Sequence, residues 1–102
     1  MTSVIMVVMI KTFSCKKTQK LFETGRATGF LTAIEVQAKR KLAMLHLAIA
    51  IEDLRVPPGN RLEVLKGERK GQFSIRINDQ YRLCFRFEDG NAEDVEIVDY
   101  HR

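Results

Sequence analysis

Residues 7–13 form an apolar, β-branched run that predicts a first strand. Ser14 then stands where a helix N-cap would be, and Lys16–Thr24 reads as a short helix with Leu21 and Phe22 inward. Gly25 is placed to end it. Thr32-Ala33-Ile34-Glu35 spells a capping box, in which hydroxyl and carboxylate each satisfy a free backbone N–H at a helix start. The helix it opens is predicted to fade after Ile51. Ile34, Ala38, Leu42, Leu45 and Ile49 make one apolar stripe at helical spacing, with Gln37, Lys39, Arg40 and Lys41 on the other side. Pro57-Pro58-Gly59-Asn60 is a break, because proline cannot continue a helix.

Beyond the break the period changes from helical to alternating. Strands are predicted at residues 62–66, 73–77, 81–88 and 92–100, separated by turns at 67–71 and 78–80 and by the hairpin pair Asp89-Gly90. Phe73, Ile75 and Ile77 share one face, as do Leu83, Phe85 and Phe87. The opposite parity holds Ser74 and Arg76 on one strand, and Arg82, Cys84 and Arg86 on the next. The predicted class is α+β: two N-terminal helices on one face of a mainly antiparallel sheet of four to five strands. The other face would carry arginine.

Composition narrows the reading. A chain of 102 residues with 45% hydrophobic and 29% charged residues is one ordinary globular domain, without repeats. The formal net charge of +4 favours an anionic partner. Cys15 and Cys84 have neither the spacing of a metal site nor that of a disulfide framework, so no metal or other cofactor is expected and a reducing cytoplasm is the simplest setting. His46, alone on its helix, is read as a surface or half-buried residue rather than a ligand. The apolar N-terminus is too short to span a bilayer and lacks the basic region of a signal peptide. Met9 offers a second start for the first strand, making residues 1–8 a start-codon extension.

The chemistry gathers at the C-terminal end, where Asp99-Tyr100-His101 follows strands rich in basic residues. Cleaving RNA without a metal requires a base for the ribose 2′-OH, a cation for the crowded phosphorane and an acid for the departing 5′ oxygen. His101 and Asp99 can move protons, Lys66 and Arg82 can stabilise charge, and Tyr100 can stack on a base. Arg69, Lys70, Arg76 and Arg86 are candidate RNA-binding residues. Counting from Val95 and Ile97, however, Asp99 and His101 fall on the apolar parity. They reach the polar face only if the strand twists or ends near Val98.

Three motifs in order, Leu65-Lys66-Gly67-Glu68-Arg69-Lys70-Gly71, Tyr81-Arg82-Leu83-Cys84-Phe85-Arg86-Phe87 and Val98-Asp99-Tyr100-His101, resemble the HigB branch of the RelE toxin superfamily. The likeness extends from Met9 to His101. It implies a RelE-like fold and a metal-independent endoribonuclease, an mRNA interferase acting by 2′-OH attack on mRNA in the ribosomal A site. It implies a HigA-like helix-turn-helix antitoxin, operator DNA bound only through the antitoxin complex, and no membrane partner. Carried over by position, the family's catalytic set falls on Lys66, Arg82, Asp99, Tyr100 and His101. Relatives often read LHPLKG; here Glu63 takes the place of that histidine, so either His101 carries the proton chemistry alone or Glu63 shares it. Two rival readings follow from the same scaffold: a gyrase-directed ParE-like toxin without RNase activity, and a degenerate toxin that only binds its antitoxin.

Overall fold

The computed structural model describes residues 9–100. The expected extension at residues 1–8, and His101 with Arg102, lie outside them. Among the described residues five strands and two α-helices appear in the order β1 (Met9–Ile10), α1 (Lys16–Thr24), α2 (Glu35–Leu47), β2 (Glu63–Val64), β3 (Phe73–Arg76), β4 (Tyr81–Glu88) and β5 (Asn91–Asp99). They form one sheet in the order β1-β5-β4-β3-β2, antiparallel except for the parallel pair β1–β5. This is the expected α+β architecture. Asp89 and Gly90 both have positive φ, 54° and 79°, as the tight hairpin between β4 and β5 demands.

The helices cover one face of the sheet. Leu21, Leu31, Ile34, Ala38, Leu42 and Leu45 pack on Ile75, Leu83, Phe85, Val95 and Ile97, all buried. Burying each such side chain stabilises the fold by about 1.5–3 kcal/mol before entropy is counted. Three local expectations fail. Thr32 caps nothing: it lies inside a 3₁₀ turn, Gly29–Ile34, and α2 starts at Glu35 without a side-chain cap. The Glu35 carboxylate instead accepts from the Ala27 N–H at 2.7 Å. Ser14 does not cap α1; its hydroxyl donates to Glu96 Oε1 and to the Asp94 carbonyl. Third, α2 stops at Leu47, so Ile49 leaves the stripe and is exposed while Ala48 is buried.

β5 carries a bulge. Its pairing with β4 slips between Cys84 and Arg86, where Asp94 adopts φ 54°. The segment after β1 locks this kink: Thr12 Oγ1 accepts from the Asp94 N–H and the Thr12 carbonyl accepts from the Val95 N–H. The extra residue is what lets Ala92 and Val95, of opposite parity, both face the core.

Candidate functional site

The second face of the sheet is not the open arginine face that alternation predicts. Ser74, Arg82 and Cys84 are buried on it. The chain from Arg61 to Gln72 runs beside them: β2 pairs with β3, Leu65 N–H bonds the Gln72 carbonyl, Arg82 Nη2 bonds the Arg61 carbonyl, and Arg69 in the turn after β2 reaches Glu96 on β5. Between this segment and β4–β5 lies a cleft of about 390 Å³, lined by Glu63, Val64, Leu65, Lys66, Arg69, Cys84, Val98 and Tyr100.

Lys66 opens the 3₁₀ turn Gly67–Arg69 and is exposed at the rim. Arg69 ends that turn and is fixed twice: Nη1 donates to Gln72 Oε1 at 3.0 Å, and Nη2 pairs with Glu96 Oε2 at 3.5 Å. The turn thus aims two cations into one cleft. Cys84 lies at the floor, and burial pushes its thiol pKa up, against a smaller opposing pull from Arg69. Tyr100 forms the wall, its N–H bonded to the Gln80 carbonyl at 2.6 Å.

The sequence-predicted residues therefore separate. Lys66, Arg69 and Tyr100 share the cleft. Arg82 lies beside it with 8% of its surface exposed, at a smaller depression lined also by Arg61, Leu62 and Glu63. Asp99 still pairs with Tyr81 in the sheet, so the strand does not end at Val98, and the Asp99 carboxylate accepts from Gln80 Nε2 at 3.2 Å rather than lining the cleft. His101 lies outside the described residues. Lys70 is exposed next to the Gly67–Arg69 turn. Arg76 pairs with Asp79, and Arg86 pairs with Asp94 at 3.1 Å beside the bulge. Glu96 and Gln72 escaped the sequence reading, which placed Ser74 on this face without its bond to Arg82. Their roles depend on strand register, Ser74 opposite Cys84 and Cys84 opposite Glu96, which no local pattern announces.

The model of a family described as RelE-like toxin of type II toxin-antitoxin system HigB matches residues 11–101. Toxin HigB-1 of Vibrio cholerae serotype O1 is 44% identical over 81 residues, 78% of this chain and 85% of its own length. Endoribonuclease HigB of Proteus vulgaris is 32% identical over 93 residues, 91% of this chain and all of its own.

Proposed function

The chain belongs to the HigB-like family of RelE-like toxins of type II toxin–antitoxin systems, and on that premise we propose that it is an endoribonuclease cutting mRNA in the ribosomal A site. The observation that carries the reading is the cleft itself. It joins two cations, Lys66 and Arg69, to an aromatic wall, Tyr100, and a carboxylate, Glu63.

In this reading the 2′-OH attacks the adjacent phosphorus, the 5′ oxygen leaves, and a cyclic phosphate remains. Lys66 and Arg69 stabilise the phosphorane charge, which builds only in the transition state. Tyr100 orients the nucleotide by stacking. His101 carries proton transfer, since histidine's ordinary pKa of about 6.5 suits both acid and base. Asp99 orients that histidine or serves as an alternative base. Lys70, Arg76 and Arg86 contribute to the positive surface that meets RNA. The family is one of toxins with an antitoxin partner; a HigA-like helix-turn-helix protein, which carries the complex to operator DNA, and a cytoplasmic setting complete the proposal.

The test maps mRNA 5′ ends after a brief pulse of expression, and repeats cleavage on purified ribosomes. His101→Ala is expected to lose about 10²–10⁴-fold in rate while still associating with ribosomes. Wild-type protein that cuts no mRNA but stabilises gyrase–DNA breaks would overturn the reading.

A further inference from the structure

We infer that Arg82 is a positioning residue, which holds the Tyr100 ring and the Glu63 carboxylate at the cleft wall rather than meeting the phosphate itself. The inference rests on the endoribonuclease reading and deepens it.

Among the described residues Arg82 has several partners. Its Nε donates to Ser74 Oγ at 2.7 Å. Its Nη2 donates to the Arg61 carbonyl at 2.6 Å and to the Ser74 carbonyl at 3.3 Å. The same Nη2 stands 3.6 Å from Glu63 Oε1. The guanidinium carbon lies 5.4 Å from the centre of the Tyr100 ring. Ser74 itself is fully buried, so the bond to Nε is shielded from water. A guanidinium can do all this because it is planar: its edge carries the donors and its flat face meets an aromatic ring.

The two groups it holds both line the main cleft, and Arg82 does not. A cation reaching a phosphate from this place would have to give up these bonds in a buried setting, where an unmade bond is costly. Lys66, exposed at the cleft, faces no such penalty. One buried cation therefore sets the spacing between the aromatic wall and the carboxylate.

Lysine at this position keeps the charge and loses the fork and the flat face. For ribosome-dependent mRNA cleavage, Arg82→Lys is expected to lower kcat about tenfold or more and to leave KM within about twofold. On a Tyr100→Ala background the same change should add less than about twofold, because coupled residues are non-additive. Combined with Lys66→Ala, the two losses should multiply. A full multiplicative loss on the Tyr100→Ala background would mean that Arg82 acts on the substrate directly, and would overturn the inference.

A second readout needs no activity. The chain has two tyrosines and no tryptophan, so tyrosine ring NMR signals can be assigned one by one. In Arg82→Lys the Tyr100 ring signals should shift and the Tyr81 signals should stay. Ser74→Ala, which removes the Nε acceptor without touching charge, should move them the same way and covers the case in which Arg82→Lys does not fold. Unmoved Tyr100 signals overturn the inference. Wild-type protein that cuts nothing while these shifts occur would instead sink the endoribonuclease reading alone.

Discussion

Leu45 and Ile49 stand four residues apart on what the sequence spells as one stripe, yet Leu45 is 1% exposed and Ile49 is 71% exposed. The helix ends between them. Ala48 turns to an extended conformation, and the Asp53 carboxylate takes the N–H groups of Ile49 and Ala50 at 2.9 and 3.1 Å. Those two bonds hold the Asp53 carboxyl pKa below its ordinary range and turn Ile49 outward. Leu45→Ala should cost about 2–5 kcal/mol in urea melts. Ile49→Ala should stay within about 0.5 kcal/mol. Equal losses would place Ile49 in the core.

Gly71 sits beneath Arg86. A Cβ there would come 2.7 Å from Arg86 Nη1, and the backbone has φ 93°. Gly71→Ala should therefore cost about 1–2 kcal/mol, mostly through the positive φ, since a flexible arginine can move aside. Pairing it with Arg86→Ala tests the division: removing the arginine should restore only a minor part of the lost stability.

Cys84 is expected to be chemically quiet. Its thiol is buried and its pKa raised above the ordinary thiol range, so little thiolate forms near neutrality. Iodoacetamide at pH 8 should label the half-buried Cys15 in the native protein and Cys84 only on unfolding. The sign of the linked pH effect follows. An acid with a raised folded pKa keeps its proton in the native state after the unfolded chain has lost it. Stability should thus fall as pH rises past 9.0. Relative to Cys84→Ala, the wild type should lose stability between pH 8 and about 10. A flat difference would show that the thiol is not desolvated.

Glu96 links the cleft to the segment between β1 and α1, since it pairs with Arg69 and accepts from Ser14. Lys66→Ala and Arg69→Ala should each slow cleavage by about 10²–10³-fold, as losses of transition-state charge stabilisation do. Glu96→Gln keeps both cations and only loosens Arg69, so a smaller loss in kcat is expected. Single-turnover assays on programmed ribosomes measure all three. An Arg69→Ala variant with wild-type rate would remove Arg69 from the site.

How much of this was legible beforehand divides along physical lines. Helix α1 and strand β4 were predicted to the residue, and the Asp89-Gly90 turn with them, because spacing, β-branching and positive φ are local preferences that a sequence displays openly. The cleft-lining Lys66 and Tyr100 came from their side-chain chemistry, reinforced by motif resemblance, and Arg69 from charge on the same segment. The end of α2 was misread because Asp53, beyond the helix, competes for the backbone at Ile49. The bulge was missed because it depends on Thr12 meeting Asp94 across the fold. The fate of Arg82 is the clearest case. Alternation correctly assigned it to the face away from the helices, together with Ser74 and Cys84. Only the tertiary structure decided that its guanidinium is buried against Ser74 and the Arg61 carbonyl. Burial and partnership there come from segments distant in sequence, and a side chain's parity says which way it points but not what will cover it.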